Sequence, residues 1–328
     1  MKAIVYREYG TPDVLHLGER PRPSPAPDEV LIRVHAAEAT KADCELRSFH
    51  FPVLWFWLPL RIALGIRKPK RQILGGYFAG EIIEVGSAVQ HLSPGERIFG
   101  SSQLRFGAYG EYLCLPGHYT LAQIPDKLSY VEAAAVPLGG LNALHFMRKA
   151  KIQPGERVLI NGAGGSIGSY AVQLAKHFGA EVTAVDSVNK AALLAGLGAD
   201  NFIDYRQADF RQNIAAYDVI LDMVASSPYR STLGALRPNG RYLMANPSLI
   251  KMVRSVWTSQ FSAQQVRFAF AGETLEELQS LQQMLSEGQI RAVVDRLYPM
   301  AKAADAHRRV ESEQRLGSVV IQIGGSDG

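Results

Sequence analysis

The residues whose types and spacing bear most directly on chemistry are VLINGAGGSIGSYAVQLAK, 158–176. An apolar strand ends at Asn161, small residues follow, and an amphipathic helix begins. Ala163, Gly165 and Gly168 fit a relaxed A-x-G-x-x-G dinucleotide fingerprint over the run Ala163, Gly164, Gly165, Ser166, Ile167 and Gly168. Small residues let the backbone turn sharply and approach a pyrophosphate. The helix N-terminus then offers unpaired N–H groups and a favourable dipole to that anion.

The same residues also spell G-x-S-x-G, the strand-to-helix elbow of serine hydrolases, with Ser166 as nucleophile. Asp222 or Asp295 and then His307 follow in hydrolase order. The elbow belongs deep in a sheet that several strand–helix units have already built, whereas here it opens the first such unit. The next strand, EVTAVD, also ends in an acid, Asp186, at the distance expected of a ribose-binding carboxylate. Position therefore favours the nucleotide reading.

Those residues need elements to hold them, and the pattern supplies two kinds. Up to residue 121 the chain reads as short strands with Gly/Pro turns: KAIVY (2–6), VLHLGE (14–19), EVLIRVHAAEA (29–39), GEIIEVG (80–86), PGERIFG (94–100) and AYGEYLCL (108–115). Such a run suggests a compact barrel-like unit. From 122 onward a largely helical stretch (131–150) precedes buried apolar strands at 156–160, 181–186, 201–205, 217–224, 240–245 and 266–271. Helices intervene, which implies βαβ units and a doubly wound parallel sheet. The tail adds helices at 274–287 and near 301–312 and a last strand at 317–323.

Composition sets limits. The chain has 328 residues, 47% hydrophobic and 20% charged, which is globular and large enough for two domains. The net charge of +4 is small, and the cluster Arg67, Lys68, Lys70 and Arg71 comes with no nucleic-acid motif. A nucleic-acid partner is not expected. Two cysteines, Cys44 and Cys114, form neither a disulfide framework nor a metal pair, so a cytoplasmic, reducing location is expected. The apolar stretch FPVLWFWLPLRIALGI is interrupted by Pro52, Pro59 and Arg61 and is too short for a membrane span, which needs about 20 residues.

With MKAIVYREYGTPDVL, EVLIRVHAAEAT, GEIIEVGSAVQHLSPGERIFG, AYGEYLCLP, AAAVPLGGLNALHF, INGAGGSIGSYAVQLAKHFGAEVTAVDS, LGADNFIDYRQADF, VVDRLYP and ADAHRRVE, nearly the whole chain resembles the medium-chain dehydrogenase/reductase superfamily. Within it the chain resembles the zinc-free, quinone-oxidoreductase-like, NAD(P)H-dependent branch. The resemblance implies an α/β fold in two parts. A GroES-like β-barrel catalytic domain is split over 1–121 and 289–328, and a Rossmann domain occupies 122–288. It also implies an active site in the cleft and homodimers formed through the Rossmann sheet edges.

Zinc-dependent relatives carry a cysteine where this chain has Thr40, His-Glu where it has Gly76-Tyr77, and another ligand near Leu138. Without those donors no Lewis acid polarises the substrate there. The resemblance then implies hydride transfer from a reduced nicotinamide to a hydrophobic quinone or α,β-unsaturated carbonyl. Two alternatives stay open: a pathway-specific C=C reductase, and a nucleotide-binding sensor with little turnover. Asp186 by itself argues for NADH, since it would accept from a ribose 2′-OH. Relatives use the positions of Ser187, Lys190 and Tyr205 around a 2′-phosphate, which tips the expectation to NADPH.

By resemblance, Thr40 and Asp43 lie on the segment that approaches nicotinamide and substrate, with a helix cap or structural acid as the plainer reading of Asp43, and Asn142 lies near the nicotinamide amide. Tyr77 replaces an acid usual in relatives. It is a candidate proton donor to an enolate or quinol oxygen, against the plainer reading of a packed tyrosine. His307 falls on a helix that is structural in relatives. Phe51, Trp55 and Trp57 are candidate walls of an apolar substrate pocket, with dimer contact as the alternative.

Overall fold

The computed structural model describes residues 1–51, 61–62, 64–245, 247–268 and 273–324. Its contacts divide the chain into two compact units, Met1–Leu138 with Glu273–Gly328, and Gly139–Gly272.

The first unit starts with a small antiparallel pair, β1 (Lys2–Val5) and β2 (His16–Glu19). Pro12–Val14 form a single 3₁₀ turn, with proline in its first positions, so the strand expected over 14–19 starts only at His16. The long β3 (Glu29–Ala39) ends at Thr40, which caps the helix Lys41–Ser48. β4 (Tyr77–Val85), β5 (Arg97–Ser101), β6 (Tyr112–Pro116) and β7 (Leu121–Gln123) follow, then the short helix Tyr130–Ala134.

The second unit opens with most of the helix Pro137–Ala150. Its strands are β8 (Arg157–Asn161), β9 (Glu181–Asp186), β10 (Asn201–Asp204), β11 (Tyr217–Asp222), β12 (Leu236–Met244) and β13 (Gln265–Phe268). All pair in parallel in the order β10-β9-β8-β11-β12-β13. Counted from β8 this is 3-2-1-4-5-6, the doubly wound order whose crevice lies where the winding reverses, beyond β8. The chain folds this way because the strands are apolar on both faces. Val158, Leu159, Ile160, Val219, Ile220 and Leu221 are each 0% exposed. Burying each such side chain contributes about 1.5–3 kcal/mol.

The chain then returns to the first unit through the helix Leu275–Ser286, β14 (Val294–Pro299), the helix Ala303–Glu311 and β15 (Ser318–Gln322). β14 and β15 complete a seven-stranded sheet ordered β14-β15-β3-β4-β5-β7, with β6 also on β3. The contact divisions fall at 138/139 and 272/273, whereas the resemblance implied 121/122 and 288/289. The second difference arises because the helix Leu275–Ser286 packs against β7 of the first unit. Amphipathic spacing shows that a helix has a partner sheet but not which one.

Candidate active site

In the second unit the glycine-rich turn is tied to the end of β9. The amides of Gly162 and Ala163 donate to Val185 O at 3.0 and 3.2 Å, and that of Gly164 donates to Asp186 Oδ2 at 2.8 Å. Gly162 has φ +84°, in the left-handed region that favours glycine. A Cβ on Gly168 would stand 2.3 Å from Gly162 O, so only glycine allows the helix to seat against the turn. At Gly165 a Cβ would meet only Gly162 O, at 3.8 Å, and the surface there is open.

Gly165 is the N-cap of the helix Ser166–His177 and has no side chain to cap it. The first N–H groups of a helix lack intrahelical acceptors. An open glycine surface facing such an N-terminus fits the diphosphate of a dinucleotide.

Asp186 is 7% exposed and heavily engaged. Besides Gly164, it accepts from Ser187 N at 2.8 Å, and Lys190 Nζ lies 3.1 Å from Oδ1. Lys190 is itself only 5% exposed, and a Cβ on Gly164 would stand 2.3 Å from its Cδ. The lysine stem thus crosses the turn while its ammonium neutralises the acid. Tyr205 is exposed just beyond β10, its amide donating to Asp186 O at 3.3 Å. Asn142 is half-buried on the helix Pro137–Ala150.

The hydrolase alternative is not assembled. Asp222 accepts from Asn161 Nδ2 at 2.9 Å, Ser227 Oγ at 3.1 Å and Tyr242 Oη at 2.8 Å. Asp295 is bound by Arg309 at 2.8 Å. His307 uses both ring nitrogens inside the first unit. Arg47 Nη1 lies 3.3 Å and Cys44 Sγ 3.4 Å from Nδ1, and Tyr109 Oη lies 3.1 Å from Nε2. A guanidinium can only donate, so Nδ1 accepts and Nε2 carries the hydrogen. Burial, then Arg47, lowers the His307 pKa to about 3, so the ring is neutral.

In the first unit Thr40 and Asp43 form a capping box. Asp43 N donates to Thr40 Oγ1 at 3.0 Å, and Asp43 Oδ2 accepts from Thr40 N at 3.1 Å and from Thr40 Oγ1 at 2.7 Å. Oδ1 accepts from Gly75 N at 3.0 Å, and Tyr109 adds a further hydrogen bond to the carboxylate. Burial pushes the Asp43 carboxyl pKa up, against these donors. The acid therefore ties the turn after β3 to the segment that begins β4.

Tyr77, the first residue of β4, stands opposite Ser101 at the end of β5. Both donate to one carboxylate, that of Glu273: Tyr77 Oη to Oε1, and Ser101 Oγ to Oε2 at 2.6 Å. Thr120 Oγ1 donates to the Glu273 carbonyl. Glu273 has φ +44°, a left-handed conformation uncommon for a residue with a side chain. The Tyr77 phenol is pushed well above its usual range, first by burial and then by Glu273. The sequence pattern singled out Tyr77 but not Glu273. Only the strand register, which makes Ser101 face Tyr77, carried a hint of a shared partner.

Phe51 is half-buried, its ring 5.2 Å from that of Phe49 in an edge-on contact. Phe49 in turn packs edge-on against Tyr9 at 4.8 Å, and the Arg61 guanidinium lies 4.0 Å from its ring centre. Trp55 and Trp57 lie outside the described residues. Among the described residues no group of three or more His, Cys, Asp or Glu side chains is placed to hold a metal ion, and no helix is long and apolar enough to cross a membrane.

Comparison with known proteins places this geometry in a family. Residues 26–126 match the alcohol dehydrogenase GroES-like domain, and residues 197–321 match the family described as zinc-binding dehydrogenase. The chain is 31% identical to a 2-methylene-furan-3-one reductase of Solanum lycopersicum, over 98% of this chain and 79% of the relative. It superposes on the quinone oxidoreductase of Coxiella burnetii with a TM-score of 0.87 and 29% identity, covering 99% of both chains. For the Escherichia coli quinone oxidoreductase complexed with NADPH the TM-score is 0.82 and the identity 25%, covering 98% of this chain and 100% of that one. The chain thus belongs to the medium-chain dehydrogenase/reductase superfamily, in its quinone-oxidoreductase-like branch.

Proposed function

We propose that this protein is an NAD(P)H-dependent oxidoreductase that reduces a hydrophobic quinone or α,β-unsaturated carbonyl. The observation that carries the reading is the open glycine cradle at the uncapped N-terminus of Ser166–His177, at the head of the first βαβ unit. Relatives named as quinone and furanone reductases support the acceptor class.

A bound nicotinamide dinucleotide supplies hydride. The chain supplies position and a proton. Gly162–Gly168 would hold the diphosphate and Asn142 would contact the nicotinamide. Thr40 and Asp43 fix the segment that leads into Tyr77, through the Asp43 bond to Gly75. Tyr77 gives a proton to the acceptor oxygen. Phe51 is proposed to wall the acceptor, so Phe51→Ala raises KM for large acceptors more than for small ones.

NADPH is the favoured cofactor. Lys190 neutralises Asp186, and a neutralised acid repels a 2′-phosphate far less than a bare one. The reaction is proposed to be zinc-independent because Thr40, Tyr77 and Leu138 bring no zinc-ligating side chains to the positions that bind the metal in zinc-dependent relatives.

Two copies are proposed to pair through the edge of the parallel sheet. β13 ends the sheet, and the neighbouring helix Leu249–Phe261 exposes Leu249, Ile250, Val253, Val256, Trp257 and Phe261. Cys44 and Cys114 are free thiols, in keeping with a cytoplasmic location.

The test is oxidation of NADPH and NADH against a panel of quinones and enones. Turnover with an apolar acceptor supports the reading. Nucleotide binding without turnover on any acceptor replaces it with a sensor.

A further inference from the structure

We propose that Glu273 is a proton-relay residue acting through Tyr77, so that Tyr77 delivers its proton only when Glu273 is protonated. The proposal rests on the proton-donor role of Tyr77 given above and adds a second residue to it.

The geometry is specific. β4 and β5 place Tyr77 and Ser101 opposite one another, and each donates to a different oxygen of Glu273. Thr120 holds the Glu273 carbonyl, and the residue is kept at φ +44°. A side-chain-bearing residue in that conformation stores strain, which persists where the surroundings over-determine it and which clusters at functional sites. Three hydroxyls, from β4, from β5 and from the residue just before β7, over-determine it here.

The direction of the hydrogen bond carries the argument. A phenol has one hydrogen. While Glu273 is ionised that hydrogen points at the carboxylate and is not presented to an acceptor. A protonated Glu273 carboxyl donates to Tyr77 Oη instead, which frees the phenolic hydrogen to turn outward. The step balances. The acceptor carbon gains hydride from the reduced dinucleotide, and its oxygen takes the Tyr77 proton. Tyr77 Oη takes the Glu273 proton, and solvent returns a proton to Glu273. Because the phenol is held well above its usual range, by burial first, Tyr77 keeps a proton to give through the neutral range.

The charged groups that act on the Tyr77 phenol are acids. Glu38 on β3 and Asp43 on the helix Lys41–Ser48 both act on the Tyr77 phenol, and Glu276 and Glu277 follow in the first turn of the helix Leu275–Ser286. On β5 and beside β7 the facing groups, Ser101 and Thr120, are uncharged hydroxyls.

The experiment measures kcat against pH for the wild type, Glu273→Gln and Tyr77→Phe with a quinone or enone acceptor. Nucleotide affinity and thermal midpoint are measured alongside. In acceptor-free protein, tyrosine ring-carbon NMR follows Tyr77 ionisation. The wild-type kcat is expected to fall as pH rises. Both variants are expected to lose that dependence and about 100-fold or more in kcat, with nucleotide affinity unchanged. Without the neighbouring carboxylate, Tyr77 in Glu273→Gln ionises at lower pH than in the wild type.

If Glu273→Gln keeps the wild-type profile while Tyr77→Phe loses it, the relay fails and the proton-donor role of Tyr77 stands. If Tyr77→Phe also keeps it, both fail. Parallel losses of kcat, nucleotide affinity and thermal midpoint in Glu273→Gln would make Glu273 a structural latch and overturn the proposal. Should Glu273→Gln not fold, Ser101→Ala serves in its place. It removes one donor to the carboxylate, so the falling limb moves to higher pH, and an unmoved limb overturns the relay.

Discussion

Lys190 lies 3.1 Å from Asp186, and its stem crosses the turn so closely that a Cβ on Gly164 would collide with it. Both side chains are buried. The acid that ends β9 is therefore not a bare carboxylate waiting for a ribose hydroxyl. Removing the ammonium leaves an uncompensated buried charge, which costs about 3–5 kcal/mol. Lys190→Met is expected to lower stability by an amount of that order. It should also cut kcat/KM for NADPH by about 10-fold or more while changing that for NADH less. Equal losses for the two cofactors would show that the Lys190–Asp186 pair does not set cofactor choice.

Three of the glycines of the turn separate packing from binding. At Gly168 a Cβ would meet backbone atoms at 2.3 and 2.6 Å, which cannot move cheaply. Gly168→Ala is expected to destabilise the protein by about 1–3 kcal/mol and to abolish tight nucleotide binding. At Gly164 the obstacle is the flexible Lys190 stem, so Gly164→Ala should cost less stability and act mainly on cofactor choice. At Gly165 there is room and an ordinary extended backbone. Gly165→Ala should leave the thermal midpoint nearly unchanged yet weaken nucleotide affinity, because the added methyl stands where the diphosphate approaches. Fluorescence titration with NADPH and thermal denaturation of the three variants check this order.

Asp43 gives a similar separation in the first unit. Its two oxygens accept from Thr40 N, Thr40 Oγ1 and Gly75 N. An amide in its place offers one acceptor oxygen and presents N–H groups to donors. Asp43→Asn is expected to lose about 1–2 kcal/mol of stability through the broken capping box. Turnover per folded molecule should fall only modestly, since the anchoring of Gly75 loosens. A collapse of kcat at unchanged stability would instead assign Asp43 a direct chemical role.

What could be read from the sequence follows from how local each signal is. The cradle is legible because strand, turn and helix are consecutive, and Asp186 ends the very next strand. The parallel sheet is legible because its strands are apolar on both faces. Tyr77 stood out because it departs from a local motif. Glu273 did not, because it is separated from Tyr77 by 196 positions and no periodicity links them. Only the pairing of β4 with β5 and the return of the chain at 273 bring the three side chains together. The helix Leu275–Ser286 was legible as a helix, but its packing on β7 was not. His307 drew attention as a catalytic type, and its partners Arg47, Cys44 and Tyr109 are equally remote in sequence.

That histidine gives a prediction whose sign is fixed by its surroundings. His307 is 0% exposed, and its pKa falls from 6.5 to about 3, first through burial and then through Arg47. The unfolded chain takes up the proton below about pH 6.5, whereas the folded chain takes it up only near 3. Between those values the unfolded state binds more protons, so this group removes stability as pH falls from 6.5 toward 3. Asp43, raised by burial, acts in the opposite sense at the acid end, because there the folded state binds the proton more readily. His307→Gln removes the histidine ionisation while leaving a donor and an acceptor for Tyr109 and Arg47. The variant is expected to be less stable at neutral pH by about 1–3 kcal/mol. Its denaturation midpoint should nevertheless fall less steeply than that of the wild type between pH 6.5 and 4. Identical slopes would mean that His307 takes up its proton in the folded protein as readily as in the unfolded chain, and the assignment of Nδ1 as an acceptor for Arg47 would then be wrong.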